Sequence, residues 1–251
     1  MNLSPRSTRG ASVTETPKGW RLAIPAGETM GYRFAQLDDY APLARARFPS
    51  HPPLTMSLRA RVSGRSLPGT WGFGLWNDPF GLSLGFGGNP FRLPCLPNAA
   101  WFFYASPENW LSFKAGPGNG FLAQSFRAPR IPSPLLSLAG LPAFPFLATR
   151  FTRIFLRKLA GIAIRDESVR LGTDPTEWHS YRLEWSPRRM VWEVDGVRAF
   201  ESQVSPRPPL GTVIWIDNQF AAFTAVGRIG FGALAGEAAW LEVEEFVVND
   251  T

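Results

Sequence analysis

The chain has 251 residues, 45% hydrophobic and 14% aromatic, with 10 Trp and 20 Phe, which is ample for a sizeable core and excludes a disordered chain. Its formal charge of +6 comes from arginines spread along the sequence rather than clustered with aromatics, so no nucleic-acid partner is expected. The single cysteine, Cys95, excludes an internal disulfide and fits a reducing, cytoplasmic setting.

In chain order, residues 1–18 are polar and read as a flexible tail ahead of a single domain over 19–251. The tail has no apolar core of the kind that marks a secretory leader, and no run of about 18 apolar residues predicts a membrane-spanning helix. Trp20–Ile24 and Gly31–Gln36 read as strands, and Leu37-Asp38-Asp39-Tyr40 as the turn that follows. Asp38 and Asp39 suit either a turn cap or a calcium ligand. Leu54, Met56, Leu58, Ala60 and Val62 alternate along a half-buried strand.

Residues 69–126 are the aromatic middle. Trp71–Trp76, Leu82–Phe86, Ala99–Tyr104, Trp110–Lys114 and Phe121–Phe126 are short strand candidates separated by Gly, Pro and Asn turns, the rhythm of a sandwich or barrel. Residues 129–164 break it. Prolines punctuate an apolar stretch, and Ala148–Gly161 then reads as an amphipathic helix with Gly161 as its C-cap. Phe151, Ile154, Phe155, Leu159 and Ile162 form an apolar stripe, with Arg150, Arg153, Arg157 and Lys158 on the other side. That insertion predicts either a helix packed on the sandwich by its apolar face, a lid over a cleft, or a basic helix on an anionic membrane. Strands then recur at 178–200, Gly211–Asp217, Val226–Phe231 and Ala239–Val248.

The stretch from Trp178 to Gly196 carries a resemblance. Trp178-His179-Ser180-Tyr181, Glu184-Trp185-Ser186 and Val191-Trp192-Glu193-Val194-Asp195-Gly196 resemble the signature of laminarinase-type family 16 glycoside hydrolases in the concanavalin A-like lectin/glucanase superfamily. The resemblance implies an all-β, concanavalin A-like jelly-roll sandwich of two antiparallel sheets, with a concave face as ligand cleft and His179 as a scaffold residue. That family's catalytic strand carries Glu-x-Asp-x-x-Glu. The strand in that place here, Ala99–Ser106, has no carboxylate, so no catalytic residue carries over. Retaining hydrolysis needs two carboxyl groups about 5–5.5 Å apart.

The expected function is therefore a non-catalytic ligand-binding domain for a glycan or an apolar small molecule. Trp76, Trp101, Phe103 and Trp215 are expected on the cleft floor, with Asn77, Asp78, Asp217, Asn218 and Gln219 at its rim. If the chain is an enzyme instead, Asp78, Asp217 and Glu108 are the candidate carboxylates. No cofactor and no metal site are expected, since His51 and His179 lack ligating company. Cys95, in an apolar Pro-flanked loop, is expected to be an inert thiol. The third alternative is a peripheral membrane protein using Arg150, Arg153, Arg157 and Lys158.

Overall fold

The computed structural model describes residues 2–28, 31–79, 92–114, 116–136 and 149–250. Among these, two seven-stranded sheets, in which every pairing is antiparallel, stack as a jelly-roll sandwich. The first sheet runs, in spatial order, β1 (Ser4–Ser7), β4 (Phe34–Asp38), β13 (Gly211–Asp217), β6 (Thr70–Trp76), β7 (Ala99–Ala105), β8 (Gly120–Arg127) and β9 (Arg165–Arg170). The second runs β12 (Val197–Ser202), β11 (Arg189–Val194), β10 (His179–Ser186), β5 (Leu54–Val62), β16 (Ala239–Asp250), β3 (Gly19–Ile24) and β2 (Ser12–Thr16). A separate ribbon pairs β14 (Gln219–Phe223) with β15 (Ile229–Ala233).

Alternation sets the inter-sheet core. Leu54, Met56, Leu58, Ala60 and Val62 face it from β5, and Tyr181, Leu183 and Trp185 from β10. The hairpin register places Leu183 opposite Trp192 and Trp185 opposite Met190. Asp195 and Gly196 join β11 to β12 with φ of 52° and 76°, the paired positive values that an Asp-Gly hairpin turn supplies at little strain.

The central strands β6, β7 and β13 of the first sheet are buried on both faces, so they read as near-continuous apolar runs. On β7, Ala100, Phe102 and Tyr104 enter the inter-sheet core, while Ala99, Trp101, Phe103 and Ala105 enter a second cluster on the sheet's outer face. Gly72 and Gly74 make that second layer fit. A Cβ on Gly72 would lie 2.8 Å from the Trp215 ring, and one on Gly74 would lie 2.6 Å from Trp101 Cβ.

Several expectations are corrected. Residues 4–16 are not a loose tail: β1 pairs with β4 and β2 with β3, because backbone ladders at sheet edges tolerate polar side chains. Leu37 and Asp38 lie inside β4 rather than in the turn after it. Trp110–Lys114 forms no strand; a single bridge from Trp110 to Ala222 holds it as a loop laid over the outer face. β9 and β14 went unpredicted. The Leu82–Phe86 candidate lies outside the described residues.

Residues 129–164 lead from β8 to β9 and contain helix α1 (Arg150–Ala163), capped by Thr149, whose side chain accepts from Thr152 N. Gly161 is not its C-cap. It lies within the helix, buried against the carbonyl of Phe113, and the helix ends at Ile164. The expected apolar stripe divides: Ile154 is half-buried beside Gly227, whereas Phe151, Phe155, Leu159 and Ile162, expected to pack on the sandwich, point to solvent.

Candidate functional site

The outer face of the first sheet brings together the aromatics expected on a cleft floor. Trp101 and Phe103 project from β7, Trp215 from β13, and Trp76 sits at the end of β6. Ring centroids lie 5.2 Å apart for Trp101 and Phe103, 5.7 Å for Trp101 and Trp215, and 5.8 Å for Phe103 and Trp215. Trp76 stacks parallel to Trp215 at 6.2 Å. Two indole N–H groups are satisfied internally: Trp101 donates to Gln124 Oε1 at 3.2 Å and Trp215 to Thr70 Oγ1 at 2.9 Å.

These rings do not form an open platform. Trp101, Phe103 and Trp215 are 4%, 2% and 8% exposed; only Trp76 is half-buried. Tyr40 and Phe48 cover the cluster from the loop after β4, Leu96 from the loop before β7, Leu111 and Phe113 from the loop after β7, and Ile164 from the end of α1.

The rim groups are likewise spoken for. Asn77 donates to the carbonyl of Leu96 at 2.9 Å and accepts from the Asn98 N–H at 2.9 Å. Asp78, 1% exposed with φ 47°, pairs with Arg92 at 2.5 Å, and Arg92 also donates to the carbonyls of Tyr40, Ala41 and Leu43. Asn218 accepts from Arg33 N at 2.8 Å and donates to the carbonyls of Gly31 and Leu234. Asp217 accepts from Thr70 N, Thr70 Oγ1, Gln219 N and the Tyr32 hydroxyl. Burial nonetheless pushes its carboxyl up to about 7. Gln219 is half-buried at the start of β14.

The register separates the two carboxylates proposed as a catalytic pair. Asp217 lies opposite Thr70 at one end of β6, and Asp78 lies two residues past Trp76 at the other; the strand alone separates those ends by six residue steps, or roughly 20 Å. That is about four times the separation that a nucleophile and an acid/base residue require. Glu108 is exposed, in the loop beyond Ala105, which pairs with Thr70 at Asp217's end of the sheet.

Between the outer face and the β14–β15 ribbon lies a cavity of about 420 Å³. Trp101 and Phe126 form its base. Trp110, Leu111 and Phe113 line one side; Ala221, Phe223, Ile229 and Phe231 line another; Pro79, Pro94, Cys95 and Pro97 complete it. No charged side chain is among its described lining residues. The hydroxyl of Ser112 is turned to Asp166 Oδ2 at 2.8 Å, and burial pushes the Cys95 thiol up to about 11, so it is neutral at pH 7. The buried Trp110 indole N–H has no acceptor among the described residues. Such a chamber suits a hydrocarbon body with at most one acceptor.

The remaining candidates are scaffold. His179 bridges Asp195 Oδ2 at 2.6 Å and the Asp174 carbonyl at 3.1 Å, which ties the start of β10 to the β11–β12 turn. Asp38 Oδ1 accepts from Tyr40 N and Ala41 N, and Asp39 Oδ1 accepts from Thr212 N. Asp38 thus caps its own turn, while Asp39 ties that turn to β13. Among the described residues no three His, Cys, Asp or Glu side chains converge as a metal site.

Sequence reasoning missed Trp110, Phe113, Phe126, Ala221, Phe223 and Phe231 as cavity residues. Their segments stood out as aromatic, but three separate stretches of chain converge here, and only the fold shows that.

No family model and no curated protein sequence matches this chain. Among solved structures it is similar to the endo-β-1,4-glucuronan lyase of the fungus Trichoderma reesei, at 13% identity over 99% of this chain and 90% of that one, with a TM-score of 0.49. A legume lectin-like domain from Entamoeba histolytica is 10% identical over 100% of this chain and 90% of that one, TM-score 0.49. The β-glucanase of Bacillus licheniformis is 11% identical over 99% and 92%, TM-score 0.46.

Proposed function

We propose that this chain is a non-catalytic binding domain that takes an apolar small molecule, such as one with a long hydrocarbon chain, in the cavity beside Trp101 and Trp110. The observation that carries this reading is the lining itself, which among the described residues is aromatic, aliphatic, proline or glycine except for Ser112 and Cys95, both without charge. Burying sugar hydroxyls there would leave them without partners, at a cost of about 1–3 kcal/mol each. Asn77, Asp78, Asp217 and Asn218, which a glycan would need, are already bonded to the Leu96 carbonyl, the Arg92 guanidinium, the Thr70 hydroxyl and the Gly31 carbonyl, respectively. A glycan is the second reading, and Trp76 favours it, as the half-buried member of the aromatic group.

Calorimetric titration with hexadecanoic acid and with β-glucan oligosaccharides separates the two. The fatty acid is expected to bind at one site, and Ala221→Phe, which fills the cavity from β14, is expected to abolish that binding. Binding of an oligosaccharide that is lost in Trp76→Ala, with no response to the fatty acid, would overturn the proposal.

A further inference from the structure

Helix α1 turns Arg157 and Gly161 inward. Arg157, 9% exposed, donates to the carbonyls of Ser112 at 2.5 Å, Phe223 at 2.8 Å and Phe113 at 3.3 Å. Gly161 is buried against Phe113, and Arg150 donates to the carbonyl of Val226 at 3.0 Å. These anchors come from one side of the helix and fix its rotation. The opposite side is a strip of Phe151, Phe155, Leu159 and Ile162, which are 85%, 60%, 46% and 79% exposed. A strip of four large apolar side chains on a helix is a surface that water solvates poorly and that a partner covers.

The charge around the strip identifies the partner. The helix contains no acidic residue, and Arg150, Arg153 and Lys158 form no ion pair among the described residues. A second copy packed face to face would bring two such cationic helices together, which like-charge repulsion opposes. A surface that is both negative and able to accept apolar side chains satisfies the strip and its rim at once. We infer that α1 docks this protein on an anionic lipid bilayer, with Phe151, Phe155, Leu159 and Ile162 inserted at the headgroup boundary and Arg153 and Lys158 among the headgroups. Arg157 is not a lipid contact, because its guanidinium is spent on three carbonyls. The inference is independent of whether the cavity holds a ligand.

Co-sedimentation with phosphatidylcholine vesicles, with and without about one-third phosphatidylserine, tests it. The native chain is expected to pellet with the anionic vesicles and to stay largely in solution with pure phosphatidylcholine. The double variant Phe155→Asp/Ile162→Asp is expected to lose at least roughly tenfold in affinity with an unchanged thermal unfolding profile. Arg153→Glu/Lys158→Glu is expected to lose the preference for phosphatidylserine. Failure of the native chain to bind anionic vesicles would overturn the inference, as would binding unmoved by Phe155→Asp/Ile162→Asp. A dimer by light scattering that this variant makes monomeric, without vesicle binding, would assign the face to a second copy instead.

Discussion

The β10–β11 hairpin and helix α1 are the two clearest amphipathic patterns in the chain, and the fold treats them in opposite ways. In the hairpin, Tyr181, Leu183, Trp185, Met190, Trp192 and Val194 all enter the core, as their alternation predicts. In α1, the apolar strip looks out and Arg157 is buried. The difference has a physical source. A strand inside a two-layer sandwich must turn one face to the facing sheet, where burial excludes a charged group that lacks a partner. α1 lies instead over loop and ribbon backbone, where the carbonyls of Ser112, Phe113 and Phe223 are ready acceptors for five guanidinium N–H donors. Periodicity says which side chains share a face; what that face meets decides which way it looks.

The largest effect should come from the hairpin. Trp192 is fully buried and donates from Nε1 to the carbonyl of Trp101 at 3.1 Å, which joins the second sheet to β7. Trp192→Ala should cost about 3–5 kcal/mol in urea unfolding. Next is the helix anchor. Arg157→Ala leaves three carbonyls without their donor and should cost about 2 kcal/mol. In hydrogen exchange it should raise α1's rate more than that of β7. An unchanged exchange rate in α1 would mean that Arg157 does not hold the helix.

Asp217 follows the same logic as Arg157, as a charged-type residue used inward. Its carboxyl is raised to about 7 from an ordinary 3.8, so between roughly pH 4 and 7 the folded state holds a proton that the unfolded state has lost. Its contribution to stability therefore falls as pH rises through that window, by at most about 1.4 kcal/mol per pH unit, and levels off above it. Asp217→Asn should remove this slope relative to the native chain, as read from urea midpoints at pH 4, 5.5, 7 and 8. A slope of the opposite sign would show that the hydrogen bonds from Thr70, Gln219 and Tyr32 outweigh burial. The smallest effect is the most telling about α1. Phe155→Ser should change unfolding stability by less than about 0.5 kcal/mol, whereas a packed phenylalanine would cost about 3–5 kcal/mol.

The sandwich was legible because its signals are local: alternation in Leu54–Val62, the Asp195-Gly196 turn, and the apolar run of Ala99–Tyr104. β1 and β2 were not, since Ser4–Ser7 and Ser12–Thr16 are edge strands whose polar residues carry no alternation to read. The aromatic group at Trp76, Trp101, Phe103 and Trp215 was legible as residues but not as a buried layer, because the residues that cover it, such as Phe48, Leu111 and Phe113, come from loops. Asn77, Asp78 and Asn218 look like ligand-binding groups at strand ends. The fold spends them on loop carbonyls and on Arg92, an arginine 14 residues from Asp78 in sequence that no local pattern pairs with it.

The claim that an apolar ligand sits over β7 is tested most directly by tryptophan quenching. Trp101 and Trp110 line the cavity, so a brominated long-chain fatty acid bound there lies against both indoles. Saturable quenching of part of the fluorescence, lost in Ala221→Phe and retained in Phe155→Asp/Ile162→Asp, is the predicted result. No saturable quenching, or quenching unaffected by Ala221→Phe, would contradict it.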